Sequence, residues 1–111
     1  MSGLVYMASP YSSTDPAIKQ ARYEAALDAV AKLMNEGVMA YSPIAHTHPI
    51  AIRHELPGDW EYWQAYDELM VSRCDRVVVL MLDGWEDSKG IQAEVAIAIR
   101  LNKPVTYMEA K

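Results

Sequence analysis

Three features of this 111-residue sequence predict an α/β fold. Short apolar or β-branched runs alternate with longer stretches of three- and four-residue apolar spacing. Turn residues separate them, and the last strand candidate follows a helix rather than a hairpin turn. Alternation of this kind implies right-handed crossovers onto a parallel sheet. The prediction is a single-domain Rossmann-like (flavodoxin-like) parallel sheet of roughly four to five strands with helices on both faces.

The elements follow in order. "LVYMAS", Leu4 to Ser9, reads as a buried strand, and the turn cluster "SPYSSTDP" ends it. From Pro16 to Glu36, Ile18, Ala21, Ala25, Ala29, Val30 and Leu33 recur at helical spacing. Asp15 is placed to cap this helix, proline fits its first position, and Gly37 stops it. "VMAYSP", Val38 to Pro43, is the second strand. Ile44 to Gly58, "IAHTHPIAIRHELPG", reads as an irregular loop of fifteen residues, a length that in a compact domain points to function. A helix then spans about Asp59 to Cys74, and "RVVVLML", Arg76 to Leu82, reads as the central strand, covered on both faces. After "DGWEDS" a helix runs to about Asn102, and "PVTYM" supplies the last strand. Ligands in such folds bind beyond the carboxyl ends of the strands. Ser9–Thr14, Ala45–Gly58 and Asp83–Ser88 should gather there.

Composition narrows the partners. A length of 111 residues suits one domain, and hydrophobic residues make up 51% of it, with no internal repeat or low-complexity segment. The net charge of −5 argues against polymeric nucleic acid and acidic membranes, though not against a small anion. No apolar run is long enough to span a bilayer, and "MSGLVYMAS" lacks the pattern of a signal peptide. The lone cysteine, Cys74, rules out an internal disulfide and falls on an apolar helical stripe, which predicts an inert buried thiol and a cytoplasmic location.

Two carboxylates lie on the wrong faces of their helices. On a wheel of ~100° per residue, Ile91, Val95, Ala98, Ile99 and Leu101 share one face of the last helix, and Glu94 falls within that arc, toward the sheet. Asp67 occupies the middle of the stripe formed by Trp60, Trp63, Met70, Val71 and Cys74. A buried carboxylate is costly unless paired. One such residue suggests local satisfaction, by Arg22 or a tyrosine for Glu94 and by a backbone N–H for Asp67. Two of them on consecutive helices beside one strand suggest a site suited to acid/base or nucleophilic work on a glycosidic bond. Asp87 or Ser88 caps the last helix, and Gly90 lies in its first turn. Free N–H groups of Lys89, Gly90 and Ile91 would then suit phosphate or carboxylate.

These residues carry a resemblance. "YMASPYS", "AYSPIAHTHP", Asp67 ahead of "CDRVVVL", and "GWEDSKGIQAE" occur in order between Leu4 and about Met108. The chain resembles the nucleoside 2-deoxyribosyltransferase-like family, in particular its small branch near the 2'-deoxynucleoside 5'-monophosphate N-glycosidases. The S-x-G-x-x-x-E spacing of Ser88, Gly90 and Glu94 is the most specific part. The resemblance implies that Glu94 is the nucleophile that attacks C1', that Tyr6 orients it, and that Asp67 protonates or grips the departing base. It implies 5'-phosphate contacts from Ser88 and Gly90. The transferases that use free nucleosides tend to carry an aspartate where this chain has Ser88, which favours a nucleotide here. One departure is plain: the first loop, Ser9, Pro10, Tyr11 and Ser12 onward, lacks the arginine found there in the monophosphate hydrolases. Phosphate binding would rest on Ser9, Ser12, Ser13, Ser88 and backbone N–H groups, with Arg22.

His46, His48 and His54 do not form a metal signature, since no cysteine or carboxylate completes a ligand set. The expectation is that one of His46 and His48 lines the pocket and that no metal or organic cofactor is needed. Trp60 and Trp63 read as core or subunit interface, whereas Trp85, in a loop at the active edge, either stacks on a base or anchors the loop. Together these readings predict an N-glycosidase or deoxyribosyltransferase acting on nucleoside 5'-monophosphates, built as a homodimer or higher homo-oligomer. The rival is a nucleotide-binding sensor or sequestering module without turnover, against which the set Tyr6, Asp67 and Glu94 argues.

Overall fold

The computed structural model describes residues 3–57 and 59–110. Met1 and Ser2 of the N-terminal stretch, and Gly58 of the long loop, lie outside the described residues. Strand β1 (Leu4–Ala8) leads to helix α1 (Pro16–Asn35), strand β2 (Met39–Tyr41), helices α2 (Pro43–His54) and α3 (Trp60–Arg73), and strand β3 (Arg76–Met81). A single 3-10 turn (Trp85–Asp87), helix α4 (Lys89–Arg100) and strand β4 (Val105–Glu109) complete the chain. The four strands are all parallel, in the order β2-β1-β3-β4. That is the flavodoxin-like order, and its switch point falls between β1 and β3.

Alternation along the strands supplies both helical layers. Tyr6 and Ala8 of β1, with Val77 and Val79 of β3, face Val71 of α3 and Ile91, Ile97 and Ala98 of α4. Met7 and Leu80 point the other way, onto Ala26, Val30 and Leu33 of α1 and Ile44 of α2. A radius of gyration of 13.0 Å is that of one compact domain of this length.

Helix α1 begins and ends as its sequence requires. The Asp15 carboxylate accepts from the Ala17 N–H at 2.9 Å, Pro16 follows, and Gly37 takes φ +84°, which lets the Val38 N–H reach the Leu33 carbonyl at 2.9 Å. Its buried face differs in part from the wheel reading. Ala26 is buried, and Ile18 is 43% exposed because it lies in the first turn beyond the sheet. On α4, Ile97 beside Glu94 is buried, whereas Ile99, read as part of the apolar face, is 65% exposed. The face follows the steps Ile91, Glu94, Ile97 and Ala98, which places Glu94 nearer the centre of the contact than the wheel implied.

The main correction concerns the long loop. Residues 43–54 form α2 rather than an irregular segment. Ser42 caps it by accepting from the Ala45 N–H at 3.1 Å, and Pro43 occupies the first position, where a missing N–H costs nothing. Pro49 lies inside the helix and is exposed, with its ring toward solvent rather than the sheet. Glu55 ends the helix in the left-handed conformation, at φ +55°. The helix survives its proline because Ile44 and His48 bury one face against the neighbouring elements, so packing overrides propensity.

Ser42→Ala should remove the α2 cap and lower stability by about 1 kcal/mol, read as a shift in urea midpoint without a change in slope. An unchanged midpoint would mean that this segment gains nothing from its cap.

Candidate active site

A cleft of about 750 Å³ opens at the carboxyl ends of β1, β2 and β3. The loop after β1, the first turns of α1, α2 and α3, and the start of α4 wall it. Any helix entered from a strand's carboxyl end presents its first turn there, so the topology alone decides which residues meet.

Glu94 lies on the cleft wall and is only 5% exposed. The Tyr6 hydroxyl, fully buried on β1, donates to Glu94 Oε2 at 2.5 Å. Of the two partners considered for Glu94, the tyrosine is the one found; Arg22 instead donates to the carbonyls of Ser12 (2.9 Å) and Asp83 (3.4 Å). Burial pushes the Glu94 carboxyl up to about 8, opposed by the Tyr6 hydrogen bond and reinforced by the negative charge of Asp67. Asp67 of α3, also on the cleft wall, is raised to about 6 by burial, with the Tyr6 hydroxyl opposing. Tyr6 itself is raised well above its ordinary value by burial and then by the charges of Glu94 and Asp67, so it stays protonated and serves as a donor. Two carboxyls and a phenol thus share one end of the cleft.

The start of α4 forms an adjoining part of the wall. Ser88 is the cap, and its Oγ accepts from the Ile91 N–H at 3.2 Å. That bond corrects the expectation of three free N–H groups, since the Ile91 N–H is taken. Ser88 keeps its own O–H as a donor. A Cβ on Gly90 would meet only Ser88 Oγ, at 3.8 Å, so the protein's own packing leaves space above this backbone. Ser9 lines the cleft, 6% exposed, and its Oγ is buried without a hydrogen-bond partner among the described residues. Gly84 is needed for Arg22. It takes φ +89°, and a Cβ there would lie 2.8 Å from the guanidinium.

The remaining expected site residues divide. Tyr11, Ser12, Ser13 and Arg22 line the cleft with Ser9, Ser88, Gly90, Asp67 and Glu94. Pro10 is buried behind the wall. Trp85 does not reach the cleft; it packs on the α3–α4 core and lies 5.6 Å from the Tyr107 ring of β4, which settles its role as a loop anchor. Neither His46 nor His48 lines the cleft. His46 is exposed, with its ring 6.5 Å from that of Tyr66, and His48 is buried behind Tyr11. No three His, Cys, Asp or Glu side chains converge as a metal set among the described residues. Cys74 is buried and free, its thiol pushed up to about 11 mainly by burial.

Among the wall residues that sequence reasoning missed are Lys19, Trp60 and Trp63. All lie in the first turns of helices that start at the sheet's carboxyl edge, and that rule of position was the signal available. Trp63 donates its indole N–H to the Pro57 carbonyl at 2.7 Å, which fixes the ring. The cations Lys19, Arg22 and Lys89 come from α1 and the start of α4, the indoles from α3, and carboxylates from both helices: Glu61 and Asp67 on α3, and Glu94 on α4 with Asp87 just before it.

The raised carboxyls have a consequence for stability. A folded protein that holds a proton at Glu94 up to about 8, against an ordinary value of 4.5, gains stability at low pH and loses it as pH rises through that window. Asp67 acts in the same direction up to about 6. Urea midpoints should fall as pH rises. Glu94→Gln should flatten the part of the slope that ends at about 8, and above it should be the more stable protein by on the order of 5 kcal/mol. An identical slope in wild type and variant would contradict this account of Glu94.

No curated protein matches the chain in sequence. A family model matches residues 3–110, nearly its full length, and takes in every residue of the cleft described above. The chain belongs to the family described as Domain of unknown function (DUF1937).

Proposed function

We propose that this chain cleaves the N-glycosidic bond of nucleoside 5'-monophosphates, with Glu94 as nucleophile. The observation that carries the reading is the setting of Glu94: a buried carboxylate on a cleft wall, aimed by Tyr6 and faced by a second carboxyl, Asp67. The sequence resemblance to the nucleoside 2-deoxyribosyltransferase-like proteins points to the same three residues. Attack by Glu94 forms a C1'–O bond as the C1'–N bond breaks. The bonding pair leaves with the base, and Asp67 supplies its proton. Positive charge that develops at C1' is stabilised by the carboxylate beside it. Water then attacks C1' and gives its proton to the Asp67 carboxylate, the C1'–O bond to Glu94 breaks, and the sugar phosphate is released with Glu94 free; a second base in place of water makes the same step a transfer.

The cations of the cleft support a phosphate. Lys19 and Arg22 supply the charge that the arginine-free first loop lacks, and the unpartnered Ser9 hydroxyl, the Ser88 O–H and the open backbone at Gly90 supply donors. The indoles of Trp60 and Trp63 offer faces to a base. Tyr62, Tyr66 and Leu69, between 40% and 52% exposed on α3, support a homodimer or higher homo-oligomer built on that helix. The reading is completed by a cytoplasmic location and a small-molecule substrate that is neither membrane-bound nor polymeric. Among the described residues no helix is long and apolar enough to cross a membrane.

Chromatography of a panel of deoxy- and ribonucleoside 5'-monophosphates, with the matching nucleosides, tests the proposal. Free base should appear from a monophosphate and fall on the order of a thousandfold in Glu94→Gln. The working state is the minor form of the singly protonated pair, with the proton on Asp67 and Glu94 ionised, so kcat/KM should be bell-shaped, rising through about 6 and falling through about 8. Gly90→Ala should fold normally yet lose preference for the monophosphate over the nucleoside. Nucleotide binding without base release from any substrate would replace the enzyme with a binding module.

A further inference from the structure

The histidine motif after β2 plays no part in the proposed chemistry, yet its second histidine is buried. His48 is 4% exposed and joins α2 to α1 and to the loop after β1. Its Nδ1 lies 2.5 Å from the Tyr11 hydroxyl, and its Nε2 lies 3.1 Å from Gln20 Oε1. The ring stacks on Tyr23 with centroids 4.3 Å apart and meets Tyr11 edge-on at 5.4 Å. Gln20 in turn donates from its amide nitrogen to Glu24 Oε2 at 3.0 Å.

The far end of this chain fixes its direction. A carboxylate accepts hydrogen bonds and does not donate them, so the Gln20 NH₂ faces Glu24 and its oxygen faces His48. The Nε2 of His48 must then carry the ring proton, and Nδ1 is left as a lone pair that only the Tyr11 O–H can meet. Burial and the Lys19 ammonium both lower the His48 pKa, in keeping with a neutral ring. Tyr11 lines the cleft, and the Lys19 ammonium lies 5.2 Å from the centre of its ring.

We propose that His48 is a positioning residue: as the Nε2–H tautomer it receives the Tyr11 hydroxyl, and so holds Tyr11, the loop that carries it and Lys19 as one wall of the ligand cleft. It touches no ligand itself. The inference rests on the nucleotide reading only for the probe used to test it.

Two measurements decide it. Long-range ¹⁵N–¹H correlation spectra of the wild-type protein should show His48 protonated at Nε2 and bare at Nδ1. Calorimetry in a Glu94→Gln background, with 2'-deoxyadenosine and 2'-deoxyguanosine 5'-monophosphates as probes, gives the functional arm. Tyr11→Phe and His48→Leu should each weaken binding roughly tenfold. The double variant should bind no worse than either single, because both remove one interaction. His48→Asn, whose Oδ1 can stand where Nδ1 stood, should recover most of the affinity. Tyr11→Phe keeps the ring and the core, so its result stands even where a His48 variant folds poorly. A Nδ1–H tautomer, unchanged binding in Tyr11→Phe, or additive losses would overturn the proposal. If neither probe bound at all, the nucleotide reading would fall and the tautomer alone would decide the relay.

Discussion

The hydrogen bond from Tyr6 to Glu94 joins residues 88 positions apart and sets the terms for the rest of the structure. It can form only because β3 pairs with β1, and because α4, which follows β3, packs back across β1's face. One hydrogen bond to a charged group contributes about 1.5–3 kcal/mol, less than the desolvation of a carboxylate held this deep. The Glu94 carboxyl accordingly retains its proton far beyond the ordinary range. An arrangement that leaves a carboxylate short of partners is poor for stability and suited to a ligand that brings positive charge. The oxocarbenium-like state of a breaking N-glycosidic bond is such a ligand.

The three-layer fold assembles the rest of the cleft around this pair. The β2-β1-β3-β4 order places the carboxyl ends of β1 and β3 side by side at the switch point. The loop after β1 brings Ser9 and Tyr11, α1 brings Lys19 and Arg22, and α4 brings Ser88 and Gly90. Helix α3 adds Asp67. Despite a net charge of −5, the cleft gathers three cations, Lys19, Arg22 and Lys89, along with the indoles of α3. A molecule with an anionic end and a heteroaromatic end matches those cations and indoles.

Much of this was legible in the sequence because it depends on period and position. A short apolar run marked β1 and a β-branched one β3, the Asp-Pro and Ser-x-Gly starts marked α1 and α4, and the wheel turned Glu94 and Asp67 inward. Helix α2 was not legible, since Pro49 and a mixed apolar pattern hide a helix that exists through burial of Ile44 and His48. Trp85 could not be assigned because a loop aromatic has no periodicity, and only the packing of Tyr107 beside it shows which way it turns. Lys19, Trp60 and Trp63 were masked by their own helical patterns, which look alike whether the first turn faces solvent or a cleft. The His48 relay needed a tertiary fact, the approach of α1 to α2, that no local signal encodes.

The most direct test of the account is whether Glu94 becomes bonded to sugar. The protein would be mixed with a 2'-deoxy-2'-fluoroarabinonucleoside 5'-monophosphate, in which the electronegative fluorine slows the second step more than it prevents the first, quenched in acid, and digested for peptide mass spectrometry. A fluorosugar-phosphate adduct is expected on the peptide that contains Glu94, and none in Glu94→Gln. Base release that persists in Glu94→Gln, without an adduct on Glu94 in the wild-type protein, would contradict it.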